Sequence, residues 1–112
     1  MNTPLKFCGK VWLEDEMGKV LGPGRIELLE LVQQHGSLRQ AALQMKMSYK
    51  QAWDLIRQMN DRLGAPVIVT SRGGKGGGSA TVTEMGLKSI ENYKIFQQNF
   101  REFLEQQSPL IF

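Results

Sequence analysis

Apolar and polar positions along this chain group into segments whose spacing predicts the elements. Leu5 to Leu13 is rich in Phe, Val and Trp, and after the polar turn Glu14 to Gly18 a second short apolar run follows, Lys19 to Leu21. Two such runs about a turn predict a β-hairpin over 5–21. Gly22, Pro23 and Gly24 then break the chain, and from Arg25 onward Ile26, Leu29 and Val32, with Leu28 and Leu31 beside them, form one broad apolar helical face. Gly36 suits the left-handed residue that closes such a helix.

The next two segments begin with the same device. In Ser37-Leu38-Arg39-Gln40 the hydroxyl is placed to accept from the third backbone N–H while the Gln side chain reaches back, and Ser48-Tyr49-Lys50-Gln51 repeats it. Two capping boxes so close together cannot belong to one continuous helix, so helix, tight turn, helix is predicted over about 37–63. The first helix offers Leu38, Ala41, Ala42 and Met45, mostly small residues that allow close approach. In the second, Ala52, Ile56, Met59 and Leu63 recur at helical spacing as the buried stripe. Lys50, Gln51, Asp54, Arg57, Gln58 and Asp61 occupy its other face, and Gly64-Ala65-Pro66 ends it.

Val67 to Arg72 and Ser79 to Val82 read as two strands about a glycine tip that carries Lys75, a hairpin over 67–82. Thr83 caps a last helix over 84–106 with Glu84 in its first turn. Tyr93, Phe96, Phe100 and Phe103 recur along it at three and four residues. A helix of this size is about 30 Å long, comparable to a small domain, so part of the aromatic stripe is expected to protrude and dimerise. The alternative, that the stripe packs on the chain's own core, stays open. The fold class is therefore mainly α with a small β component (α+β): a winged helix-turn-helix with an N-terminal β-hairpin and a long C-terminal dimerisation helix, one domain over 1–112.

Composition narrows the functional classes. The 112 residues are 41% hydrophobic and 22% charged, an ordinary globular balance for one core. The apolar runs fall short of the roughly 18–20 residues of a membrane span, and Met1 to Lys6 lacks the pattern of a signal peptide, so a cytoplasmic location is expected. Cys8 is the sole cysteine and His35 the sole histidine. No metal set or Cys/His dyad assembles, and His35 beside Gly36 suits a helix C-terminus better than catalysis. Neither an enzyme nor a cofactor is expected. The net charge of +3 is uneven: residues 37–80 hold seven Lys and Arg against two Asp, net +5, while each flank is net −1. Concentrated positive charge attracts a polyanion, although alone it equally describes a solvated face.

Together the helix pair, the basic hairpin and the charge point to double-stranded DNA. A helix fits the major groove, roughly 12 Å wide, and presents its N-terminal residues to base edges first. That selects Tyr49, Lys50 and Asp54, with Gln51 a further candidate: Lys donates to guanine, Gln pairs with adenine, and Asp accepts from cytosine. Ser37, Arg39, Ser48, Arg57 and Arg72 suit phosphate, and Lys75 suits a wing tip lying along the backbone. The glycines around Lys75 are not a Walker loop, because Gly76 follows the Lys where Ser or Thr is required and a strand follows where a helix is required. Trp53, between the buried stripe and the polar face, reads as packing rather than recognition.

Gly22-Pro23-Gly24-Arg25, Gly36-Ser37, Ala41-Ala42, Met47-Ser48-Tyr49-Lys50, Ala52-Trp53, Met59-Asn60, Gly73-Gly74-Lys75-Gly76-Gly77-Gly78 and Thr83 resemble the N-terminal domain of ModE-type, molybdate-responsive transcription regulators. The helix-turn-helix is similar, less closely, to that of LysR-type regulators. The resemblance covers about Val11 to Phe103 and implies a dimeric DNA-binding transcription regulator reading a palindromic operator. Regulators of that type carry molybdate-binding domains after this module, whereas the sequence stops at Phe112, so molybdate binding by this chain is not expected. A protein-interaction module that keeps the scaffold without specific DNA binding is the competing expectation.

Overall fold

The computed structural model describes residues 4–72 and 78–107. In chain order the elements are β1 (Leu13–Asp15), β2 (Gly18–Leu21), α1 (Pro23–His35), α2 (Leu38–Gln44), α3 (Tyr49–Leu63), β3 (Ile68–Ser71), β4 (Ser79–Val82) and α4 (Glu84–Gln107). The strands make two separate antiparallel pairs, β1 with β2 and β3 with β4. This is the expected α+β winged helix, with the wing formed by β3 and β4.

Two boundaries differ from the sequence expectation. Helix α1 starts at Pro23 rather than Arg25, because proline at the first helical position supplies a preset φ where the missing N–H has no intrahelical partner anyway. The first hairpin is confined to residues 13–21, not 5–21. A register shift between Leu13 and Glu14 interrupts the ladder. Residues 6–12 carry no strand pairing and meet α4 instead: the Tyr93 hydroxyl donates to the Val11 carbonyl at 2.8 Å, and a Cβ on Gly9 would stand 3.0 Å from the Phe100 ring.

The core gathers Ile26, Leu28, Leu29 and Val32 of α1, Leu38, Ala41 and Ala42 of α2, and Ala52, Ile56 and Met59 of α3. The small residues of α2 let α3 approach closely. Val67, Ile68, Ala80 and Val82 close the core from the wing side. Polar stitches fix the wing. Asn60 Oδ1 accepts from Val67 N at 2.8 Å, Gly36 O accepts from Ala80 N at 2.9 Å, and Thr83 Oγ1 donates to Pro66 O at 2.6 Å while accepting from Gly86 N at 3.1 Å. Gly86 is obligatory in this seam, since a Cβ there would run into the Val67 carbonyl and the Val82 side chain.

Between α2 and α3 the chain turns through a complete Schellman motif. Met47 N donates to Ala42 O at 3.0 Å and Lys46 N to Leu43 O at 3.1 Å. Lys46 holds the left-handed position at φ 57°, where glycine is usual. Past the core, α4 runs on as a 24-residue rod, about 36 Å at 1.5 Å per residue. It gives the molecule a long dimension of 63 Å against 30 and 22 Å.

Candidate nucleic-acid interface

Both helices of the pair start as the serines require. Ser37 Oγ accepts from Gln40 N at 3.1 Å, and at Ser48 both halves of the capping box form, Gln51 N donating to Ser48 Oγ at 3.0 Å and Ser48 N to Gln51 Oε1 at 2.9 Å. Each serine hydroxyl keeps its proton as a donor. Gln51 is more constrained than its sequence position suggests: its carbonyl oxygen is held by the cap, whereas two-point pairing with adenine requires both oxygen and nitrogen.

The polar face of α3 is an ordered array. Asp54 sits between two cations, 3.1 Å from Lys50 Nζ and 3.2 Å from Arg57 Nη1. The Arg39 guanidinium lies over the Tyr49 ring at 4.6 Å, Tyr49 meets Trp53 edge to face at 6.3 Å, and the Arg57 guanidinium lies 5.6 Å from the Trp53 ring centre. Arginine, tyrosine, tryptophan and arginine therefore run from α2 along α3. Trp53 packs one side on the core as the sequence suggests, yet it also supports Arg57, its i,i+4 neighbour on the same helix.

Ser37, Arg39 and Tyr49 share one concavity with Arg72 and Ser79 at the outer end of the wing strands, so residues from α2, α3 and the wing converge there. Ser71 Oγ and Ser79 Oγ, 2.6 Å apart, join the two wing strands at that edge. Lys50, Asp54 and Arg57 line the adjoining exposed face of α3. Lys75 lies outside the described residues.

Two charged side chains of the basic segment's neighbourhood are committed elsewhere. Arg62 donates to Lys19 O at 2.6 Å and Met17 O at 3.4 Å and lies 3.8 Å from Asp15, latching β1 and β2 to α3. Arg25 Nη2 donates to Gln58 Oε1 at 2.7 Å. Burial, aided by the Arg62 charge, pushes the Arg25 guanidinium below its ordinary pKa. Neither arginine is among the candidates read from the sequence, and the contacts that hold them lie far along the chain.

On α4 the aromatic stripe divides. Tyr93 is 7% exposed and belongs to its own chain's core under Val11, which takes it out of the protruding stripe where its spacing had put it. Its burial pushes the phenol above its ordinary pKa. Phe100 is half-buried against Gly9, while Phe96 and Phe103 are 63% and 54% exposed. Among the described residues no helix is long and apolar enough to cross a membrane, and no group of three or more His, Cys, Asp or Glu is placed to hold a metal ion.

Comparisons with known proteins agree with this geometry. The pattern of the bacterial regulatory helix-turn-helix proteins, lysR family, matches residues 24–87. The chain is 32% identical over 106 residues to the molybdenum transport protein ModE of Azotobacter vinelandii, covering 95% of this chain and 39% of that protein. It is 40% identical over 76 residues to the DNA-binding transcriptional dual regulator ModE of Escherichia coli (strain K12), covering 68% of this chain and 29% of that one. The crystal structure of ArgP from Mycobacterium tuberculosis has the same fold over 76% of this chain and 30% of its own, with a TM-score of 0.54 at 15% identity. The chain thus spans between 29% and 39% of the length of these ModE relatives. With more than half of its residues matched by the family pattern, this protein belongs to the bacterial regulatory helix-turn-helix proteins of the lysR family.

Proposed function

We propose that the chain binds double-stranded DNA as a ModE-type regulator of transcription, inserting the N-terminal turns of α3 into the major groove and laying the wing along the backbone. The observation that carries this is the exposed face of α3, where Tyr49, Lys50, Asp54 and Arg57 stand beside the concavity holding Ser37, Arg39 and Arg72. Lys50 and Asp54 have groove chemistry, and the arginines and cap hydroxyls have phosphate chemistry. Similarity to the ModE regulators supports the same reading.

The exposed Phe96 and Phe103 support a homodimer through α4. A two-fold dimer reads a palindrome whose half-sites lie about 34 Å apart, one helical turn of DNA. Selection from a random duplex pool at physiological salt tests the reading. An enriched inverted repeat is expected; a pool that stays unenriched contradicts it and favours a protein-interaction role.

A further inference from the structure

Besides packing on the core, Trp53 stands in a row of four side chains joining α2 to α3. Arg39 reaches from α2 over Tyr49, Tyr49 abuts Trp53, and the far side of Trp53 carries Arg57. Arg57 is held from a second direction by Asp54 at 3.2 Å, and yet its side chain is 64% exposed. Free arginines on a surface sample many rotamers, and ordering one on binding opposes association. A guanidinium stacked on a ring and hydrogen-bonded to a carboxylate has lost much of that freedom already.

We propose that Trp53 is a positioning residue for DNA recognition: its ring holds the Arg57 guanidinium, in concert with Asp54, in the pose in which it meets the DNA backbone. The proposal rests on the DNA-binding reading above and deepens it. Trp53 itself touches no DNA. Its effect passes wholly through Arg57, and it acts on affinity without adding a phosphate contact. Two properties follow. Loss of the ring weakens binding without changing the number of counterions released, and it has no effect once Arg57 is gone.

The test is a double-mutant cycle on the DNA sequence selected by the wild type, with affinity measured across a salt series and urea unfolding as the folding control. Arg57→Ala is expected to lower the slope of log K against log salt by about 0.9, the signature of one lost phosphate contact. Trp53→Leu, which keeps apolar bulk, is expected to weaken binding roughly three- to tenfold with the wild-type slope. The double variant is expected to bind like Arg57→Ala alone. Additive losses in the cycle, or no loss in Trp53→Leu, overturn the proposal.

Arg57→Lys supplies a second arm that does not disturb the core. It keeps the charge but loses the planar group that stacks, so it is expected to weaken binding about as much as Trp53→Leu at unchanged slope, and Trp53→Phe is expected to restore most of the affinity. A lysine that binds as well as the arginine contradicts the proposal even if Trp53→Leu fails to fold. Absence of any selected sequence for the wild type sinks the DNA-binding reading itself, whereas selective binding with an additive cycle sinks only the role of Trp53.

Discussion

The two hairpins share a local design and have opposite fates. Each pairs two short antiparallel strands, but β1–β2 carries Glu14 and Asp15 in β1 with Glu16 next to them, whereas β3 is followed directly by Arg72. The acidic hairpin is drawn inward, where Asp15 and two carbonyls engage Arg62 of α3. The basic one is fixed at its root by Thr83, Asn60 and Gly86 and along β4 by Ala80 N donating to Gly36 O, and its outer end stands beside the concavity with Arg39 and Tyr49. Secondary structure sets neither role. Charge and the side chains reaching in from α3 and α4 do.

The comparison can be broken most severely at the wing root. Gly86→Ala drives a methyl into the Val67 carbonyl and Val82, and is expected to destabilise the fold by about 3 kcal/mol in urea unfolding, the upper range for overpacking. A neutral result would mean that α4 and the wing are not seated as described. Arg62→Ala removes the latch of the acidic hairpin and is expected to lose about 2 kcal/mol, since hydrogen bonds from a charged group are the stronger ones. Its salt slope for DNA binding is expected to stay at the wild-type value, which separates the structural arginine from those of the reading face.

Tyr93→Phe leaves the Val11 carbonyl without its donor just before β1, for an expected loss of about 1 kcal/mol at neutral pH. The pH dependence has a definite sign. With the folded phenol pKa raised by burial, the stability from the neutral hydroxyl is fully present below the ordinary phenol value near 10 and is lost as pH rises through the folded value. Urea unfolding of Tyr93→Phe is expected to lack that part of the alkaline decline. The smallest effect lies in the turn between α2 and α3, remote from both hairpin roots. Lys46→Gly relieves the left-handed φ of 57° and is expected to raise stability by up to about 1 kcal/mol. A loss of stability there would show that Lys46 contributes something beyond its backbone.

What was legible in the sequence was local. Ser48 with Gln51, Thr83 and Gly36 announce helix ends because a cap needs only its next few residues. The buried stripe Ala52, Ile56, Met59 follows from period alone, with Leu63 only half-buried at the end. What escaped was set by distant partners. Arg62 bonds to atoms 43 and 45 residues away, so nothing near it distinguishes a latch from a phosphate ligand. Residues 6–12 have strand-like composition but form no ladder: Gly9 and Val11 meet α4, while Phe7 and Trp12 stay about half exposed. Tyr93 shares the spacing of Phe96, but Tyr93 is buried and bonded to the Val11 carbonyl while Phe96 stays 63% exposed. Arg39 reaches Tyr49, and through it the Trp53–Arg57 pair of α3, only once α2 is laid beside α3.

The division of labour between reading helix and wing is tested most directly by the ratio of affinities for the selected duplex and a scrambled one, measured for Lys50→Ala and Arg72→Ala. Lys50→Ala is expected to collapse the ratio, because a base contact is lost, while Arg72→Ala weakens both duplexes alike and leaves the ratio unchanged. A ratio that survives Lys50→Ala, or falls in Arg72→Ala, would contradict the assignment of sequence choice to α3 and of backbone grip to the wing.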